Sequence, residues 1–223
     1  MQPLVRGDRD IGAVLPVFIP SSFVESAGGW PGPCEVLQAA SVALAWAVPL
    51  PNDTIAYILH ETQREWEAQG IDWRARALQN LRDLSPEPLG TGALFRDHGE
   101  TWLISLMYAD GLGPSRLLLS DQLERLFPNG YRVAMPERSR GFAFAAELDA
   151  EDADTVESLI RNSFSKGDDP YRAGSSSRVT CSAQSRAARR RRHPAENDTD
   201  CSRSWIGSSL WRLRRRCSLI RTR

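Results

Sequence analysis

The sequence predicts an α+β domain, a mostly antiparallel sheet with helices packed on one face, followed by a disordered basic tail. Three observations carry this. Short β-branched and aromatic runs are joined by turn signals, amphipathic helical stripes alternate with them, and the periodicity ends abruptly near Ala173. Composition agrees with one folded body: of 223 residues, 41% are hydrophobic and 25% charged, which excludes a collagen, a disulfide knot and a wholly disordered chain.

From the N-terminus, Ile11 to Ile19 (IGAVLPVFI) is a β-rich apolar run interrupted by Pro16, so it reads as an edge strand or as part of an extended arm over residues 1–33. Ser26 to Pro33 is a loop by its Gly and Pro content. Glu35 to Val48 is Ala-rich and apolar and reads as a buried helix closed by Pro49 and Pro51, and Asn52-Asp53 as a turn. Thr54 to Leu59 has the length and β-branched content of a core strand. Thr62 to Gln69 is a short polar helix. Asp72 caps the next one, with Trp73, Ala77, Leu81 and Leu84 at helical spacing.

Thr91–Phe95 and Thr101–Ala109 flank Asp97-His98-Gly99-Glu100, a hairpin signal with a glycine available for positive φ. Both alternating sets of the second run are largely apolar, which places it centrally in its sheet. Asp110-Gly111-Leu112-Gly113-Pro114 leads into a helix from Ser115 to Phe127 with Leu119, Leu123, Leu126 and Phe127 inward. Strands Tyr131–Met135 and Phe142–Leu148 follow, joined by a turn at Glu137–Gly141. Asp149 caps a last helix with Val156, Leu159, Ile160 and Phe164 on its buried face, and Asp152 and Asp154 suit the positive end of its dipole. The domain therefore spans residues 1–172.

Formal net charge is zero, but it is the sum of two opposed parts. Residues 1–172 carry 15 basic and 25 acidic side chains, a net of −10, and residues 173–223 carry 13 and 3, a net of +10. The tail is rich in Arg and Ser, contains the run Arg189, Arg190, Arg191, Arg192, and lacks the apolar content to offset the entropy of ordering it. Lys166 is the single lysine, a bias that suggests a coding sequence rich in G and C. An Arg-, Ser- and Cys-rich tail is also what an out-of-frame reading of such a gene produces. Within it, Leu210, Leu213, Cys217 and Ile220 fall on one helical face, with Arg212, Arg214, Arg215 and Arg216 around them. That pattern suits nucleic acid or an anionic surface, and the tail is the one segment through which nucleic acid is expected as a partner.

Complete catalytic sets are missing from the pattern. His60-Glu61-Thr62-Gln63-Arg64 begins like a zinc-protease helix but has Arg64 where the second His must stand. Cys34 has no evident base, and Cys181, His193, Cys201 and Cys217 lack the close pairing of structural zinc ligands, so neither metal nor cofactor is expected. Two anion-binding candidates remain. Gly111, Gly113, Ser115 and Arg116 lie between a strand and a helix N-terminus, and Arg138 sits in the Arg-rich turn between two strands.

Part of the body, roughly residues 50–150, resembles the YtpQ-like bacterial family of unknown function. The likeness rests on Leu50-Pro51-Asn52-Asp53 before a strand containing Tyr57, on Ala77-Leu78-Gln79-Asn80-Leu81, on Arg116-Leu117-Leu118-Leu119, and on Val133-Ala134-Met135-Pro136-Glu137-Arg138. Where the family tends to have Pro-Ser-Arg-Asp, this chain has Pro136-Glu137-Arg138-Ser139. The resemblance implies a bacterial cytoplasmic α+β domain and no particular activity. No signal peptide is apparent, and the apolar stretch Val36–Leu50 is shorter than the roughly 20 residues of a membrane span, which again points to the cytoplasm. The expectation is a non-catalytic module that binds a protein. The alternatives are surface or nucleic-acid binding through the tail, and an enzyme or binder for an anionic small molecule near Gly111–Arg116.

Overall fold

Large and small side chains alternate along Val42–Leu50, and this alternation decides the layout of the N-terminal half. The computed structural model describes residues 10–26, 29–37, 42–51 and 54–167. The tail arginines, Arg189 to Arg192 and Arg212 to Arg216, lie outside them, as do the tail cysteines and His193. Strand β1 (Leu15–Pro20) is followed by a short helix α1 (Ser21–Ser26), then β2 (Cys34–Leu37), β3 (Val42–Leu50) and β4 (Thr54–Tyr57). All three other strands pair antiparallel with β3, so β3 is the centre of a four-stranded sheet. β1 covers Val42–Ala47 along one edge. β2 pairs Val42–Ala45 and β4 pairs Ala47–Leu50, so these two short strands lie end to end along the other.

Glu35–Val48 is thus not the helix that its alanine content suggests. Val42, Leu44, Trp46 and Val48 belong to one buried cluster, and Ala43, Ala45 and Ala47 to another. The period is two, and both faces are buried. A two-sided buried strand lacks the polar positions that normally reveal alternation, and packing overrides the intrinsic helix preference of alanine. Across the sheet, Leu15, Val17 and Ile19 of β1 stand opposite the alanines. Of the two expectations for the N-terminus, edge strand and extended arm, Leu15–Pro20 is the edge strand, with Pro16 within it.

The large-residue face is covered by α2 (His60–Ala68) and α3 (Trp73–Asp83). Trp46, Trp66 and Trp73 meet there, with Trp46 and Trp73 edge-to-face at 4.9 Å, and the Arg74 guanidinium lies 4.2 Å from the Trp73 ring. Such ring contacts contribute about 0.5–1.5 kcal/mol beyond area burial. Asp72 caps α3 by accepting from the Ala75 N–H at 3.1 Å. Trp73, Ala77 and Leu81 are buried as their spacing requires, but Leu84 is 58% exposed, because the helix ends at Asp83 before the stripe reaches it.

The second sheet has the order β5-β6-β8-β7, all antiparallel, from β5 (Gly92–Phe95), β6 (Thr101–Met107), β7 (Tyr131–Glu137) and β8 (Arg140–Ala145). β6 lies between β5 and β8, and Gly99 takes φ +83° in the β5–β6 hairpin. Ser115–Phe127 is not continuous. A 3-10 turn, Pro114–Leu118, is separated from α4 (Ser120–Leu126) by Leu119 at φ −81°, ψ 63°. The break lets Leu117, Leu119, Leu123 and Phe127 all enter the core. Helix α5 (Ala150–Lys166) is capped by Asp149, whose carboxylate accepts from the Asp152 N–H at 2.8 Å, and packs on β7. The architecture is an α+β fold with antiparallel sheets. Among the described residues, no helix is long and apolar enough to cross a membrane.

Candidate functional site

The Asp110–Arg116 segment leaves the end of β6 and turns onto the sheet. Gly111 supplies a positive φ of +69° at an open position. Gly113 has an ordinary φ of −48°, and what demands glycine there is space: a Cβ would overlap the Leu106 carbonyl oxygen and lie 2.8 Å from that of Ser139. A Cβ on Gly141 would likewise lie 3.2 Å from Pro114 Cα. The segment therefore lies directly on the β7–β8 hairpin, which brings it close to Ser139, the neighbour of Arg138.

Arg116 is 1% exposed and extensively bonded. Its Nη1 and Nη2 donate to the two carboxylate oxygens of Asp110 at 3.0 and 2.7 Å, Nε donates to Ser85 Oγ at 3.0 Å, and Nη2 also reaches the Leu84 carbonyl at 3.1 Å. The guanidinium carbon lies 3.9 Å from the centre of the Tyr108 ring. Asp110 in turn accepts from the Leu112 N–H at 2.9 Å. The chain's own carboxylate thus sits where a bound anion would bond both the arginine and the turn. An external anion would have to compete with Asp110 at close range. Ser115 is buried beside it at 3% exposure. The glycine pattern does not mark Asp110, although an Asp-Gly start to the loop with Arg six positions on is the signal for it.

Burial raises the Asp110 pKa, but the Arg116 and Leu112 hydrogen bonds outweigh it and hold the group below its usual value. A folded-state pKa lowered in this way stabilises the protein above the unfolded-state value of about 4, and that stability is lost as pH falls through the folded value. Asp121, paired with Arg82 at 2.8 Å, is also lowered. Thermal midpoints are therefore expected to drop as pH falls below about 4, and Asp110→Asn to flatten part of that drop. An unchanged profile in Asp110→Asn would show that the pairing adds nothing.

Arg138 is half-buried in the β7–β8 turn, close enough to Tyr57 to act on its ionisation. Burial raises the Tyr57 pKa and the Arg138 charge opposes that rise. Trp30 packs edge-to-face on Tyr57 at 4.8 Å. In the same turn the buried Glu137 pairs with Arg140 at 2.5 Å and accepts from the Ser139 hydroxyl at 3.1 Å. Burial also raises the Cys34 thiol, which disfavours the nucleophilic thiolate. His60 is exposed and bonds Gln63 at 3.1 Å, as a helix-end residue.

A cleft of about 120 Å³ lies near Arg96, Glu100, Phe127 and Asn129. Pockets for small metabolites run from roughly 300 Å³ upward. Arg96 there is held by Asp152 at 3.4 Å, by the Glu147 carbonyl at 3.3 Å and by Glu100 at 3.8 Å.

Beside this cleft runs β5. It is an edge strand, and its four residues are all exposed. Leu94 is 45% and Phe95 62% exposed, and Met107 at the end of β6 is 45% exposed. The structure does not bring this edge together with Gly111–Arg116 or Arg138 as one site, and their sequence pattern gave no reason to single it out. No protein-family model, curated protein or solved structure matches the chain.

Proposed function

We propose that this chain is a non-catalytic protein-binding module of the bacterial cytoplasm, and that it takes its partner along β5. The observation that carries the reading is a sheet edge with two large apolar side chains, Leu94 and Phe95, left in solvent. An edge strand presents unpaired backbone N–H and C=O groups, to which an extended partner segment can add as a further strand, while exposed side chains supply selectivity. Gly92–Phe95 contains no proline or charge to block such addition. The polar groups with the best claim to chemistry, the buried Arg116 and the exposed Asp110, are engaged with one another, which favours binding over turnover.

A photo-crosslinking amino acid in place of Phe95, in the full chain in cells, tests this. A discrete heavier adduct is expected, and it should disappear when Leu94→Lys is added. The same adduct from a crosslinker at the exposed Glu61 on α2, or none from Phe95, would overturn the reading.

A further inference from the structure

We propose that the β5 edge is capped within the same molecule by residues 210–220 of the basic tail. This rests on the reading of β5 as a docking surface and names an occupant for it. The first argument is charge. Arg96, next in chain after β5, bonds Asp152 of α5, so the acidic start of α5 adjoins the strand's end. Glu100 stands within the same cluster, and Asp97, Glu147, Asp149 and Glu151 are exposed around it. An occupant suited to this edge is apolar where Leu94 and Phe95 lie and basic at its margin.

Residues 210–220 have that chemistry: Leu210, Leu213, Cys217 and Ile220 are interleaved with Arg212, Arg214, Arg215 and Arg216. The net +10 of residues 173–223 is attracted to the net −10 of residues 1–172, whereas the bodies of two copies repel one another. The second argument is reach. The tail leaves from the C-terminal end of α5, and Asp152 near its N-terminal end is roughly 20 Å away at 1.5 Å per residue. Gly167 and Leu210 are 43 residue steps apart, and a random chain of that length has a root-mean-square span of about 35–40 Å, more than the return along the helix requires. A tether about twice as long as the span still gives the segment a high effective concentration at the edge, so it competes with any external partner.

A nitroxide label on Cys217 of the full chain, with Cys34→Ser, Cys181→Ser and Cys201→Ser, provides the test. In nitrogen-15 spectra at low salt, the amide signals of Gly92–Phe95 are expected to lose most of their intensity, and to regain it at high salt or when Arg212, Arg214, Arg215 and Arg216 are all changed to Glu. Mixing labelled but nitroxide-free chain with nitroxide-bearing unlabelled chain separates the sources. Intensity lost in the mixture as well as in the uniformly labelled sample would overturn the proposal in favour of a second copy. Loss confined to other surfaces, or no loss, would overturn it outright and leave the Phe95 crosslinking result to decide the partner-binding reading by itself.

Discussion

Replacing Arg116 with alanine is expected to destabilise the domain by about 3–5 kcal/mol, the range for removing one member of a buried charged network. The side chain is 1% exposed, and the substitution removes four hydrogen bonds and the contact with the Tyr108 ring at once. Ser85 and the Leu84 carbonyl would lose the donor that ties the end of α3 to the Asp110 turn. Arg116→Lys is expected to restore little, since an ammonium cannot make the bidentate pair with Asp110 and bond Nε's partner as well. Asp110→Asn should cost less than Arg116→Ala, because the carboxylate is 41% exposed and part of its charge interaction is screened by water. Urea unfolding checks the series, through midpoints that shift at constant slope. A loss below about 1 kcal/mol in Arg116→Ala, the range of an exposed ion pair, would mean that the network is incidental to the fold.

Local signals were readable from the residues wherever one or two side chains act on adjacent backbone. Asp72 and Asp149 both cap helices as expected, Gly99 makes the hairpin turn, and the two-sided apolar run Thr101–Met107 is the interior strand it looks like. The reading failed where tertiary context decides. Val42–Val48 is a strand because both of its faces are buried, against tryptophans on one side and against the second sheet's cluster on the other. That information lies in α2, α3 and the second sheet's cluster, not in the segment. Similarly, Leu84 fits the helical stripe but falls one residue beyond α3 and is exposed.

The candidate site shows the same division. The composition of Gly111–Arg116 marks a tight turn with a cation, and a tight turn with a cation is present. What composition cannot supply is the partner, and Asp110 occupies that role from six residues away. The exposed edge at β5 was hidden for the opposite reason. Gly-Ala-Leu-Phe looks like any short apolar strand, and only the strand order shows that nothing among the described strands pairs beyond it.

The two glycines of the Asp110–Arg116 turn are expected to respond very differently to alanine, although a Gly-x-Gly pattern treats them alike. At Gly111 the obstacle is φ of +69°, in otherwise open space, and an L-residue there costs roughly 1–2 kcal/mol. At Gly113 the backbone conformation suits any residue, and the obstacle is the Leu106 carbonyl of β6 with that of Ser139 behind it. Both are main-chain atoms, one in the paired strand β6 and the other in the tight β7–β8 turn, so neither can swing aside as a side-chain tip would. Gly113→Ala must lift the 3-10 turn off the sheet, loosening Leu117 against Gly141 and pulling Arg116 away from Ser85 and Leu84. A loss of about 3 kcal/mol or more is expected, the upper end of overpacking in a well-filled interior. Because the clash and the arginine network are coupled through one short turn, Gly113→Ala and Arg116→Ala together should cost less than the sum of their separate effects. Equal midpoints for Gly111→Ala and Gly113→Ala in urea would overturn this account, as would simple additivity in the double variant.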